Sequence, residues 1–217
     1  MNRFHGNRSL MPSLGVLVIL SLGHPAGSTV SEGTHSLKQQ HSSAKATALF
    51  AGGCFWGVES VFEHVRGVRS ATSGFAVPEA ANGDSLPEYL EAVRVEYDSS
   101  QISYRQLLEI FFLVAHDPTQ VDGQGPDIGP EYRSFIFPND EGQRQAAQAY
   151  IDELRSSNAF RRPIATKIVA LKRFKVAEES HQDYVVKNPY APYVLTNDVP
   201  KLEELRRRFP AVFRGRA

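Results

Sequence analysis

The sequence predicts a two-layer domain of the α+β class, with α/β as the nearest alternative: helices packed around a central mixed β-sheet and joined by long loops. Three observations carry that expectation. Strand-like and helix-like apolar patterns alternate irregularly from Ala46 onward. No stretch repeats, which sets solenoids and propellers aside. Of the 217 residues, those left after an atypical N-terminus suffice for one domain with its own core.

That N-terminus reads as a leader. Arg3 and Arg8 precede an apolar run from Leu14 to Leu22, followed by the small residues Ala26-Gly27-Ser28. This is the layout of a secretory signal peptide over residues 1–28, with an uncleaved anchor as the alternative. The run is short for a membrane span, so no stable membrane insertion is expected. Residues 29–45 are rich in Ser, Thr, His and Gln and read as a flexible linker; the domain itself is 46–217. The expectation is export, to a periplasm or the exterior, or a cytoplasmic protein if the leader is an artefact of the start. Lysine and arginine (24) equal aspartate and glutamate (24), so nothing argues for a nucleic-acid partner. A single cysteine excludes an internal disulfide or a cysteine-based zinc site, and no metal is expected.

Taken in order, Ala46–Ala51 reads as a short buried strand. The apolar set Val58, Val61, Phe62, Val65 reads as one face of a helix ending near Gly67. A strand over Val68–Val77 follows, then a polar loop, Pro78–Pro87, with a turn at Asn82-Gly83-Asp84. In the strand Tyr89–Tyr97 the odd positions share a face, so Glu91 is a carboxylate on a side otherwise made of Tyr89, Val93, Val95 and Tyr97. Ser103 and Gln106 form a capping box for a helix through Val114. His116-Asp117-Pro118-Thr119-Gln120 ends it, and a long loop, Val121–Glu131, leads to a strand Tyr132–Phe137. Asp140 caps a helix to about Ser157, and Thr166–Leu171 is a strand. Ala177–Lys187 reads as a helix with His181 and Tyr184 on one face. Asp198 and Pro200 open a last helix that ends in the basic run Arg206–Arg208.

The chemistry concentrates in Ala51-Gly52-Gly53-Cys54-Phe55-Trp56-Gly57. Gly52-Gly53 is the turn from strand to helix, and Cys54 falls at the helix N-terminus. Unpaired N–H groups there favour a thiolate, which is the nucleophile. Gly53 lets a substrate approach the backbone. Phe55 and Trp56 set apolar surface beside the sulfur. A lone cysteine is most often an inert core residue, and Glu91 could equally be a solvent-facing strand end. If buried, Glu91 would have its pKa raised and could donate a proton near neutral pH.

Four blocks in order resemble the A-type peptide methionine sulfoxide reductases, over roughly Ala46–Tyr193. They are Gly-Cys54-Phe-Trp-Gly; Glu91-Ala92-Val93; His116–Gln120 with Gln124–Gly129 and Tyr132-Arg133-Ser134; and Ala177-Glu178, His181-Gln182 with Asn188-Pro189-Tyr190. The resemblance implies a ferredoxin-like sandwich and reduction of methionine S-sulfoxide, free or in proteins, as protein repair. By position, Cys54 would attack the sulfoxide sulfur and end as a sulfenic acid. Phe55 and Trp56 would wall the methyl pocket, Glu91 would protonate the oxygen, Tyr132 would hydrogen-bond it, and Asp127 would help hold the site. Gly53, His116, His181 and Tyr184 would be supporting.

The chain departs from the family pattern twice. The segment before the acid strand is short and lacks a second oxygen-binding tyrosine; Tyr89, two residues before Glu91, could stand in for it or not. No resolving cysteine is present, so an external thiol is implied, such as thioredoxin or a glutaredoxin with glutathione, rather than a bound cofactor. A monomer is expected. The rivals are a Cys-His hydrolase or acyltransferase using His116 or His181, a thiol peroxidase, and a binder of oxidised methionine without turnover.

Overall fold

The computed structural model describes residues 44–79 and 86–215. The expected leader, the expected linker up to residue 43 and the expected Asn82-Gly83-Asp84 turn lie outside the described residues. Among the described residues no helix is long and apolar enough to cross a membrane.

The first four elements are β1 (Lys45–Gly52), α1 (Phe55–Glu63), β2 (Val68–Pro78) and β3 (Leu90–Asp98). Then come α2 (Tyr104–Ile110), a small hairpin of β4 (Gly123–Gln124) and β5 (Asp127–Ile128), β6 (Ser134–Ile136) and α3 (Glu141–Ser156). The chain closes with β7 (Lys167–Ile168), β8 (Leu171–Val176), α4 (Tyr184–Lys187) and α5 (Val199–Arg208). Apart from the hairpin, the strands make one six-stranded mixed sheet in the order β7-β6-β1-β3-β2-β8. Only the β6–β7 pair is parallel. Central β1 puts Phe50 opposite both Val93 of β3 and Ile136 of β6.

Strand alternation divides the apolar residues between two faces. Ala48, Phe50, Val93, Val95 and Tyr97 pack with α1, α2, α3 and α5 in the main core. Leu49, Ala51, Leu90, Ala92 and Phe135 form a smaller cluster on the other face. Phe50 anchors the main core, stacked on Phe62 at 5.4 Å and on Phe111 at 4.7 Å between ring centroids. Glu91 belongs to the helix-facing side of β3, as the odd-position pattern requires.

The capping box at Ser103 and Gln106 forms in both directions, and Asp140 caps α3 by accepting the Gln143 N–H at 2.7 Å. Other elements differ from expectation. Helix α1 stops at Glu63, because Val65 leaves it to bridge Phe213, and Gly67 then turns with φ +89°. After Ile110 the second helix widens into a π turn, Phe111–Ala115. The long loop holds the β4–β5 hairpin and a 3₁₀ turn, Pro130–Tyr132, so Tyr132 precedes strand β6 instead of opening it. The expected strand Thr166–Leu171 is two strands on opposite sheet edges: β7 pairs with β6 and β8 with β2.

Residues 177–187 are not one helix. A 3₁₀ turn, Glu179–His181, and the four-residue α4 are separated by Asp183 in the left-handed region, φ +53°. Side chains hold this break. Gln182 takes the Ser73 N–H at 3.0 Å and donates to the Ser73 and Ala177 carbonyls, while Glu59 accepts the Asp183 N–H at 3.0 Å. Asp198 makes no cap on α5; its side chain turns inward, wholly buried.

Candidate active site

The β1–α1 turn sets the site. Gly53 has φ +88°, and a Cβ there would come 2.4 Å from Gln124 Cγ, so the residue is glycine on both counts. Gln124 is itself fixed, accepting the Asp117 N–H and donating to the Asp117 carbonyl, each at 3.0 Å. Gly57, in the first turn of α1, is excluded by crowding instead: a Cβ would fall 2.2 Å from Asp198 Oδ1. This turn therefore packs directly on the hairpin and on the C-terminal helix.

Cys54 occupies the N-cap of α1 and is 8% exposed. The expected helix-end effect does not prevail. Burial, with the Glu91 charge next, pushes the thiol up to about 12; the Trp56 N–H and the Tyr193 hydroxyl act in the opposite direction. The resting sulfur is a thiol. The correction is physical: partial charge at one helix end does not offset loss of water around a sulfur this deep with a carboxylate beside it.

Glu91 Oε2 accepts the Phe55 N–H at 3.0 Å, so the carboxyl stands at the residue next to the sulfur and not in bulk water. Burial, against the Phe55 hydrogen bond, raises it to about 7. A substantial fraction is thus a neutral acid at pH 7. Tyr132 lies close enough to feel Glu91, Asp127 and Cys54, and burial first, then those charges, pushes its phenol up to about 12, leaving an O–H donor.

The aromatic wall is layered. Trp56 stacks face to face on Tyr184 at 3.6 Å and on His181 at 5.9 Å, and Tyr193 meets it edge-on at 5.7 Å. Trp56 Nε1 donates to His181 Nδ1 at 3.3 Å. Phe55 packs against His181 and against Phe75. His181 and Tyr184 therefore do meet at the site, through Trp56 and not through a shared helical face.

His116 stands behind the turn, stacked on Phe111 at 4.1 Å. Its Nδ1 pairs with the Phe111 carbonyl at 2.8 Å and its Nε2 with Ser134 Oγ at 2.7 Å; Ser134 in turn meets Thr166 Oγ1 at 2.8 Å. The carbonyl can only accept, so Nδ1 carries the proton and Nε2 accepts from Ser134. Burial holds the ring neutral, down to about 4. With both nitrogens of His116 engaged, and His181 bonded to Trp56, the hydrolase reading loses its base. The group beside Cys54 is a carboxyl.

Sequence reasoning missed three residues here. Tyr193 donates to Asp127 Oδ2 at 2.5 Å and lines the same pocket as Cys54, where its hydroxyl acts to lower the thiol. Asp198 and Lys201, 3.5 Å apart, pack under Gly57. With Gln124 and Asn197, the hairpin and the last helix close a pocket of roughly 100 Å³ at the sulfur, lined by Asp127, Tyr193 and Lys201. Tyr89 is 42% exposed and packs edge-on against Phe75. The spacing of Tyr193 from Asn188-Pro189 was the one signal available, and it carries no direction without the fold.

The model of the peptide methionine sulfoxide reductase family matches residues 46–211. The chain belongs to this family. A relative from Mesorhizobium japonicum named peptide methionine sulfoxide reductase MsrA 2 is 47% identical over 174 residues, covering 77% of this chain and 89% of its own. One of the same name from a Synechocystis strain is 46% identical, covering 75% and 78%. Among solved structures, reduced Mxr1 from Saccharomyces cerevisiae matches with a TM-score of 0.59 at 29% identity, covering 68% of this chain and 87% of that one. Methionine sulfoxide reductase A of Corynebacterium diphtheriae matches with 0.55 at 34%, covering 68% and 78%. The helices, the mixed sheet and the Cys54 turn thus sit within the family's α+β architecture.

Proposed function

We propose that this member reduces methionine S-sulfoxide to methionine, free or in oxidised proteins, and so repairs oxidative damage. The observation that carries the reading is the Glu91 carboxyl held at the Phe55 N–H, adjacent to the only cysteine in the chain. A sulfoxide oxygen leaves poorly unless it is protonated as the S–O bond breaks. A buried carboxyl raised to about 7, and so available as a neutral acid near neutral pH, meets that need.

In the proposed reaction the substrate methyl group lies against Phe55 and Trp56. Tyr132 donates to the sulfoxide oxygen. Cys54 attacks the sulfur and forms an S–S bond while Glu91 gives its proton to the oxygen; the S–S bond then breaks as the oxygen passes to Cys54, which becomes a sulfenic acid, and methionine departs. Gly53 seats the turn against Gln124; His116, His181 and Tyr184 hold the turn and the wall. With no second cysteine in the chain, the sulfenic acid is reduced by an external thiol, thioredoxin-like or glutaredoxin-like, and no bound cofactor takes part.

The domain proposal remains a leader over 1–28, a linker to 45 and a catalytic domain from 46, with export to a periplasm or the exterior. An open pocket serving varied protein surfaces suits a monomer. The finer fold reading is ferredoxin-like: β1-α1-β2-β3-α2-β6 supports it, with those four strands in the order β6-β1-β3-β2.

The test is a single turnover of leader-free protein with the S and R epimers of a methionine sulfoxide peptide, without added thiol. About one equivalent of methionine from the S epimer alone, with loss of the Cys54 thiol, is expected. Affinity without product would leave only a binder.

A further inference from the structure

A second proton path meets the sulfur from the side away from Glu91. It rests on the reductase reading above. The attacking group must lose a proton, and Cys54 in this site is a thiol. Glu91, as the acid for the departing oxygen, must hold its proton until the S–O bond breaks. In the state that donates, it cannot also receive.

The other groups facing Cys54 come from three elements. The hairpin supplies Asp127, the 3₁₀ turn before β6 supplies Tyr132, and the C-terminal segment supplies Tyr193, Asp198 and Lys201. Asp198 is tied up with Lys201 under Gly57, and Tyr132 belongs with Glu91. Tyr193 lines the pocket at the sulfur and bonds a carboxyl directly. Its ring is set by the edge-on contact with Trp56 at 5.7 Å and an interplanar angle of 88°. Its hydroxyl donates to Asp127 Oδ2 at 2.5 Å, which leaves its oxygen lone pairs for the Cys54 S–H. Cys54, Asp127 and Tyr193 line one small pocket, so the three groups are contiguous.

We propose that Tyr193 is a catalytic residue of this enzyme, relaying the Cys54 thiol proton to Asp127 as the sulfur attacks. The S–H bond breaks and an O–H bond forms at Tyr193, while the original Tyr193 proton passes to Asp127. On the other face, Glu91 protonates the sulfoxide oxygen as Cys54 bonds to the substrate sulfur; that S–S bond then breaks as the oxygen passes to Cys54 and methionine leaves. The products are methionine, the Cys54 sulfenic acid, ionised Glu91 and protonated Asp127. Solvent exchange returns one proton from Asp127 to Glu91, so the cycle needs no further oxidant or reductant until the sulfenic acid is reduced.

The test uses Tyr193→Phe and Asp127→Asn in the full domain. Tyr193→Phe keeps the ring on Trp56 and loses the hydroxyl; Asp127→Asn keeps an acceptor but takes no proton. Each is expected to slow single-turnover methionine release by about a hundredfold. The double variant is expected to be no slower than the slower single, because both break one path. Independently of any substrate, iodoacetamide alkylation of Cys54 in Tyr193→Phe is expected to move up by about one pH unit, the loss of one hydrogen bond to a charged group. Alkylation that follows the wild-type profile in Tyr193→Phe would overturn the proposal, leaving ionised Glu91 to shuttle the proton alone. Multiplying effects in the double variant would overturn it too. If wild-type protein releases no methionine while the alkylation shift appears, the reductase reading fails and the Tyr193 contact stands.

Discussion

Residues 45–98 hold the Cys54 turn with a ladder. Strand β1 pairs on both sides, with β3 along six residues and with β6 along three, and the turn leaves it directly into α1. Residues 177–201 reach the same site with no strand at all. Two 3₁₀ or four-residue helical pieces and a π turn, Val194–Asp198, bring His181, Tyr184, Tyr193 and Lys201 to the sulfur. What fixes this arm is side chains: Glu59 and Gln182 at its start, Trp56 in its middle, Asp198 at its end. A ladder loses position only when many backbone bonds fail together. An arm held by single side chains loosens one contact at a time. The nucleophile and the acid therefore belong to the rigid region, and the walls that meet varied protein substrates belong to the adjustable one.

The largest expected effect breaks the rigid side at its point of use. Cys54→Ser removes the nucleophile and should abolish single turnover for both epimers. The substitution is nearly isosteric, so thermal unfolding should stay close to wild type. Any methionine produced by this variant would place the chemistry elsewhere.

Next is Glu91→Gln, which retains an acceptor for the Phe55 N–H and loses the proton. Turnover should fall by about 10² to 10³, with peptide binding nearly unchanged. Wild-type activity should decline as pH rises through about 7, where Glu91 ionises, and that decline should vanish in the variant. A pH profile of single-turnover rate reads both. A full rate in Glu91→Gln would mean the proton comes from another group.

Glu59→Ala attacks the arm. Glu59 is buried under it and accepts the N–H groups of Ser73 and Asp183. Gln182 still serves Ser73, but the Asp183 N–H is left without this acceptor, at a cost of about 1–3 kcal/mol. Burial raises the Glu59 carboxyl from 4.5 to about 7. The folded state therefore binds this proton more tightly than the unfolded state does. Its contribution is complete below about pH 4.5 and is lost as pH rises through about 7. The gap in melting temperature between wild type and Glu59→Ala should be wider at pH 5 than at pH 8. KM for a sulfoxide peptide should rise more than kcat falls, because the arm carries Tyr184 and His181 against Trp56.

The same contrast explains how much the residues alone revealed. Regions held by backbone periodicity were legible. The β1 and α1 pattern, the odd-position placement of Glu91, the capping box at Ser103 and the Asp140 cap all follow from spacing within a few residues. The arm was not. Its break at Asp183 comes from Glu59, 124 residues away in sequence, and from Gln182 bonded to Ser73, 109 residues away. No local pattern encodes such partners. The thiol state of Cys54 was hidden for a related reason. A helix N-terminus is visible in sequence, but the burial and the Glu91 charge that outweigh it arise only in the packed site. Tyr193 falls between the two cases: its identity was plain and its direction was not.

The smallest expected effect is a control on the ladder side, far from the sulfur. Ser103→Ala removes a hydroxyl that accepts the Gln106 N–H at 3.2 Å and donates to Gln106 Oε1 at 3.0 Å, while the reciprocal bond from the residue 103 N–H to Gln106 Oε1 is kept. The loss should be about 1 kcal/mol, in the range of a single N-cap. Helix α2 runs into the π turn, where Phe111 stacks on Phe50 and on His116 behind Gly52. If the ladder alone positions the turn, a frayed α2 should lower the melting temperature slightly and leave kcat and KM unchanged. A lowered kcat at full thermal stability would show that the chain of rings from Phe111 to His116 also sets the Cys54 turn, and the division into a rigid and an adjustable region would then have to be redrawn to include α2.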